Sequence, residues 1–235
     1  FFSFTFLASA EKSSFNNYEF ILIIFLTFIS GILFIASSDF ILFFLCLELF
    51  SILSFTLIMK RRMAINAEAS FKYLIFASLA TIILLFAFFI IFFSSGITNI
   101  YLLNLTKIFY NYSINFLFII IVLSFMIKYG IFPFHSWLPD VYQASANTLF
   151  SFFITFTKLF IIIPFIKILS NITIEDFNIF FLIFITFFGI VTSTVLGFQQ
   201  LTFRRLFAYS SISNAGLIFL LFVNLTKNSF SIIIN

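Results

Sequence analysis

Seven apolar runs, each about 20 residues long, divide this sequence: 19–36, 40–59, 70–94, 113–133, 147–169, 176–197 and 205–223. A run of that length, wound into a helix, spans the hydrocarbon core of a bilayer. Seven of them in a row leave little else for the chain to become. Of its 235 residues, 63% are hydrophobic and only 9% are charged, where a soluble domain carries about a quarter charged. The fold class is therefore an all-α polytopic membrane protein, with a further half-length apolar piece at 1–9. Its 45 phenylalanines need no special role. Lipid-facing positions accept any apolar residue, so an AT-rich coding genome can push them toward Phe, Ile, Leu and Asn, a compositional hint of an organelle genome.

The polar breaks carry the orientation. They read "SSD" at 37–39, "KRRMAINAEAS" at 60–70, "SSGITNIYLLNLTK" near 94–107, "LPDVYQASAN" at 138–147 and "QQLTFRR" at 199–205. With alternating crossings, Lys12, Lys60, Arg61, Arg62, Lys72, Arg204 and Arg205 fall on one side, and Lys107, Lys167 and Lys227 on the other. The positive-inside rule turns the KRR side toward the cytoplasm or matrix. Basic residues so scattered along segment ends do not form a nucleic-acid surface. The single cysteine, Cys46, excludes a disulfide framework and a cysteine-based metal site.

Three ionisable residues lie near the centres of spans instead: Glu48, Lys128 and Lys158. A charge at the bilayer centre costs about 2.5–3.5 kcal/mol on insertion scales. Such groups face the protein interior and mark either a packing ion pair or an ion path. Asn147, Ser151, Thr155 and Lys158 fall at i, i+4, i+8 and i+11, a polar stripe on one helical face. Ser124 precedes Lys128 by one turn, and Ser51 follows Glu48 by about one turn. Hydroxyls beside a charge can hold water, and water carries protons. A static ion pair would use one carboxylate and one lysine. Two lysines against one carboxylate leave a cation over, and a desolvated amine releases its proton more readily than one in water.

The segment "FMIKYGIFPFHSWLPDVYQ" (125–143) holds Lys128, then Gly130 and Pro133, then the sole His135 and sole Trp137. Gly130 and Pro133 interrupt the helix, since proline removes a helical hydrogen bond and frees carbonyls. Non-helical backbone at membrane depth persists only inside protein or beside a water-filled cavity, and broken helices of this kind form ion sites in transporters. A helix that simply ends at Pro133, with Trp137 anchored in the lipid interface, fits the same letters. The residues alone leave both open.

"LELFSILSFTLI" (47–58), "EASFKYLIFASLA" (68–80), "KYGIFPFHSWLPDVYQ" (128–143), "FITFTK" (153–158) and "RRLFAYSSISNAGLIFL" (204–220) together resemble the antiporter-like subunits of respiratory complex I. The most similar group is that called subunit 2 in mitochondria and N in bacteria. The resemblance covers about residues 19 to 222 and implies two inverted five-helix repeats, family helices 4–8 and 9–13, each with a broken helix. Residues 1–18 would be a helix-3 remnant and loop, 19–169 the complete first repeat, and 170–235 the start of the second. Glu48 matches the family's helix-5 glutamate, Lys128 the lysine of the broken helix 7, and Lys158 the helix-8 lysine of the central hydrophilic axis. His135 matches the motif histidine, a structural hydrogen-bonder or a relay, with Ser124, Ser151 and Thr155 as supporting hydroxyls.

The function this implies is proton translocation in the membrane arm of NADH:ubiquinone oxidoreductase. Two alternatives are a subunit of a cation/proton antiporter of the same fold and a structural subunit that has lost transport. The chain itself is expected to bind no cofactor: NADH, FMN, iron–sulfur clusters and ubiquinone would belong to other subunits. Expected partners are the other membrane-arm subunits, a separate chain supplying helices 11–14 and conceivably 1–3, and phospholipids such as cardiolipin. The expected location is the mitochondrial inner membrane, with the KRR loop in the matrix. Two departures stand out: "ASAN" after Gln143 replaces a Gly- and Pro-containing turn, and Asn214 stands where a histidine is frequent.

Overall fold

A computed structural model of the chain describes residues 17–59, 64–102, 113–169 and 176–228. The expectations placed on residues 1–16, on the KRR basic residues at 60–62 and on Lys107 fall outside these, as do the side chains of Asn147 and Lys227. Among the described residues the chain forms eight α-helices. These are α1 (Asn17–Ala36), α2 (Phe40–Ile58), α3 (Ala64–Ser95), α4 (Ser113–Tyr129), α5 (Trp137–Ala144), α6 (Asn147–Leu169), α7 (Asp176–Phe198) and α8 (Phe203–Asn228). Every expected crossing falls on a helix. Five of them, α1, α2, α3, α6 and α7, are by themselves long and apolar enough to cross a bilayer. α4 is shorter, because the helix breaks after Tyr129, and α8 opens on a polar turn with Arg204 and Arg205.

α4 is the axis of the bundle. Phe118, Ile121, Val122, Phe125, Met126 and Ile127 are all within 1% of complete burial, so a helix apolar on every side is surrounded by protein rather than lipid. Its neighbours are α3, α6 and α7, while α5 packs against α3 and α8. The two pieces of the broken helix centre two different apolar clusters. One gathers α4 with Phe43, Leu84, Phe88, Phe165 and Phe219. The other gathers α5 with Leu57, Tyr73, Phe153, Ala208 and Ile212.

The two ends of the bundle hold different charges. At one end Lys72 of α3, Asp140 of α5 and Arg205 of α8 meet, with Lys72 Nζ 2.7 Å and Arg205 Nη2 3.0 Å from the Asp140 carboxylate. At the other end Lys167, in the last turn of α6, donates to the carbonyls of Ile35 and Ser37 beyond α1 and lies 4.7 Å from the Tyr101 ring centre. Here the connectors are tied by an antiparallel bridge between Asp39 and Asn99. This is the segregation expected from alternating crossings, for those basic residues that are described.

Candidate functional site: charges at a broken helix

The break begins with glycine chemistry and not with proline. Gly130 has φ +73°, in the left-handed region where side-chained residues are strained. A Cβ there would also stand 2.6 Å from Leu138 Cδ1. The Ile131 N–H donates to Met126 O at 2.9 Å and the Gly130 N–H to Ile127 O at 3.2 Å, the paired bonds of a Schellman cap. The helix therefore stops at Tyr129, immediately before the Gly130 to Pro133 discontinuity expected from the sequence. Residues 130–136 are non-helical, and α5 then resumes.

This decides between the two sequence readings of the break. Trp137 is only 7% exposed, and its indole N–H donates to Ile127 O across the break at 3.2 Å. It packs edge-on to Tyr73, with ring centroids 5.4 Å apart. Gly189 of α7 closes on Phe132 from another side, and Tyr209 of α8 faces the His135 ring. The alternative of a lipid-interface anchor at Trp137 does not fit this burial: the break is enclosed by α3, α7 and α8.

Lys128 occupies the last turn of α4 and is 7% exposed. Its Nζ is buried without a hydrogen-bond partner in the protein, as is Oε2 of Glu48 on α2. The two are near enough to interact electrostatically, yet they form no ion pair within 4.0 Å, unlike Lys72, Asp140 and Arg205. The expected direct pair is therefore open. What supports the ammonium is the end of its own helix, where the aligned peptide dipoles place partial negative charge.

Lys158 of α6 finds a partner that sequence reasoning did not name. Its Nζ donates to the carbonyl of Tyr129, the last residue of α4, and lies 4.2 Å from the centre of the Tyr129 ring. A carbonyl at a helix C-terminus has no intrahelical donor, so the break itself creates the acceptor. Lys128 and Lys158 thus attach to adjacent points of one helix end. Carbonyls are not written in a sequence, and only the glycine that ends the helix signals this one.

The expected hydroxyl relay is not gathered around these charges. Ser124 donates to Ile121 O at 2.7 Å, Ser51 to Glu48 O at 2.8 Å and Thr155 to Ser151 O at 2.8 Å. Each hydroxyl proton goes to the preceding turn of its own helix, a habit of Ser and Thr in apolar helices. Ser151 and Thr155 lie on an exposed side of α6. His135 stacks against Phe132, with ring centroids 6.0 Å apart, and its Nδ1 is buried without a hydrogen-bond partner. Asp140 was also missed. It lay inside a quoted motif, but its partners are 65 and 68 residues away.

Fold and site together define a class: polytopic helical membrane proteins holding ionisable groups at a helix discontinuity. Residues 37–234 match the family model described as "NADH:quinone oxidoreductase/Mrp antiporter, TM", and the chain belongs to this family. It is 32% identical over 231 residues to NADH-quinone oxidoreductase subunit N of Buchnera aphidicola subsp. Schizaphis graminum, covering 94% of this chain and 47% of the relative. It is 31% identical over 225 residues to NADH-ubiquinone oxidoreductase chain 2 of Oenothera berteroana, covering 88% and 44%. The resemblance read from the motifs therefore holds, down to the subunit N and chain 2 group. The chain spans about half the length of these relatives.

Solved structures agree in fold. A chain of respiratory complex I from Thermus thermophilus superposes with a TM-score of 0.76 at 21% identity, covering 94% of this chain and 50% of that one. A chain of the Mrp complex from Dietzia sp. DQ12-45-1b gives 0.81 at 18% identity, covering 94% and 42%. At these identities the likeness is one of fold.

Proposed function

We propose that this chain carries protons through the membrane arm of an NADH:quinone oxidoreductase, with Glu48, Lys128 and Lys158 as the groups that hold and pass them. The observation that carries the reading is two buried, unpartnered atoms of opposite charge, Glu48 Oε2 and Lys128 Nζ, beside a second lysine held by the carbonyl that the break frees. A merely structural pair would be closed. An open pair within electrostatic range can close, and closing it changes the affinity of both groups for protons.

The magnitudes suffice. Moving one proton against 100 mV needs about 2.3 kcal/mol, equivalent to about 1.7 pKa units. Bringing a carboxylate to within about 4–6 Å of an opposite charge shifts its pKa by about 1–3 units. One side-chain movement at Glu48 thus matches one proton step, and Lys128 would pass its proton toward Lys158. Lys128→Ala in the intact complex should lower the protons moved per electron while assembly persists. Wild-type pumping by the assembled variant would make the site structural.

Within this proposal, residues 19–169 form the first five-helix repeat and 170–235 open the second. The remainder of the fold, helices 11–14, covers the α7–α8 face. That face is open to a partner: α7 is the least buried of the five long apolar helices. A groove of about 290 Å³ between α7 and α8 is lined by Ser193, Thr194, Tyr209, Ser210 and Ser213, and Asn214 is exposed beside it. The other partners are membrane-arm subunits and lipids such as cardiolipin, while NADH, FMN, the iron–sulfur clusters and ubiquinone are held by other subunits of the complex. The location proposed is the mitochondrial inner membrane, with the Lys72–Asp140–Arg205 end in the matrix. The likeness to the Mrp complex favours a second reading, a subunit of a cation/proton antiporter. Co-purification with flavin and iron–sulfur subunits separates the two.

A further inference from the structure

We infer that Trp137, braced by Tyr73, is a positioning residue that sets the separation between Glu48 and Lys128. The inference rests on the proton-carrying reading of that pair.

The indole is the direct link across the break. Its N–H reaches Ile127 O, the carbonyl immediately before Lys128, from the first residue of α5. A buried indole must find some acceptor, so a bond as such shows little. The choice of acceptor is informative, because Ile127 O already receives the Gly130 N–H of the helix cap. The cap is complete without the tryptophan. The added bond therefore serves to fasten α5 to the turn that carries Lys128.

The other side of the ring leads to Glu48. Trp137 meets Tyr73 of α3 edge-on, and Tyr73 is itself only 6% exposed. The Tyr73 hydroxyl lies against Ser54 of α2, and the residue is within electrostatic reach of Glu48 on that same helix. Ser54 is in turn tied to Phe50 O at 2.7 Å. A continuous contact path thus runs from the Glu48 helix through Tyr73 and Trp137 to the backbone at Lys128. The ionisable groups around this path are Glu48, Tyr73, Lys128, Tyr129 and Lys158.

The test places Trp137→Phe, Tyr73→Phe and Lys128→Ala in the intact complex and measures NADH-driven proton translocation. Trp137→Phe keeps an aromatic ring against Tyr73 and removes only the N–H donor. Loss of one buried hydrogen bond corresponds to about a 3- to 10-fold effect. Translocation turnover should fall by that factor with the KM for quinone unchanged and the complex assembled. Tyr73→Phe should give a similar loss, and the double variant should be no worse than the weaker single one, since both break one path. Wild-type turnover in Trp137→Phe, with Lys128→Ala impaired, overturns the inference and reduces Trp137 to packing. If Lys128→Ala also pumps normally, the reading of the site falls instead. Should Trp137→Phe fail to assemble, Tyr73→Phe decides alone: a kcat loss at constant KM supports the path, and wild-type turnover refutes it.

Discussion

Two sets of charges flank the same broken helix, and they are treated in opposite ways. Asp140, at its outer end, is closed: Lys72 and Arg205 both reach its carboxylate, and Lys72 also reaches Glu68 at 2.8 Å. Lys128, at the inner end, is buried beside Glu48, yet neither Lys128 Nζ nor Glu48 Oε2 has a partner. The closed cluster is partly exposed, with 25–42% side-chain exposure for Asp140, Arg205 and Lys72, so the energy of each bond is modest. The open pair is where desolvation is expensive. At the rim each charged group reaches an opposite charge, although Arg205 Nε itself has no partner, while Lys128 Nζ and Glu48 Oε2 reach none. This is the pattern expected when strain is kept for function and stability is supplied elsewhere.

The contrast predicts opposite signs for charge removal. Lys128→Met combined with Glu48→Leu removes both unpartnered charges and fills the space with apolar atoms. It should raise stability by about 1–4 kcal/mol while abolishing this chain's share of proton movement. Thermal unfolding of the assembled complex and proton counting read the two effects separately, and a destabilised variant would mean Lys128 is already paired. Next in size is Gly130→Ala, which forces a left-handed alanine against Leu138. About 1–3 kcal/mol of stability should be lost, together with pumping, because the Lys128 turn must shift. An alanine variant as stable as wild type would contradict the Schellman cap. Asp140→Asn should cost only about 1 kcal/mol, and less as salt is raised. A loss that ignores ionic strength would mean the cluster is more than a rim clasp. The smallest effect belongs to Ser124→Ala, within about 0.5 kcal/mol and with unaltered pumping. A clear pumping defect there would restore the hydroxyl relay.

How much of this was legible in the sequence differs along the chain. The crossings were, because hydropathy is a property of consecutive letters, and the joints at 36–40, 147 and 169 coincide with helix ends. α3 starts at Ala64 and not near 70, since Asn66, Glu68 and Ser70 are helical beyond the apolar run. The break was visible as Gly130 to Pro133, and the helix does end immediately before Gly130; the left-handed cap that ends it there was not legible. Glu48, Lys128 and Lys158 were legible as costly charges. Their arrangement was not: Lys158 binds a main-chain carbonyl, and the spacing of Glu48 from Lys128 depends on Tyr73 and Trp137, whose letters alone suggest only core and interface. Asp140 shows the remaining limit, since an acidic residue in a motif says nothing of cations two helices away.

The most direct measurement is the number of protons translocated per electron by the intact complex carrying Glu48→Gln, a change that keeps shape and removes only the charge that Lys128 faces. If the open pair carries the proton step, the ratio falls while the complex assembles and NADH still reduces quinone. A wild-type ratio in that variant would show that Glu48 and Lys128 are packing, and that protons cross elsewhere.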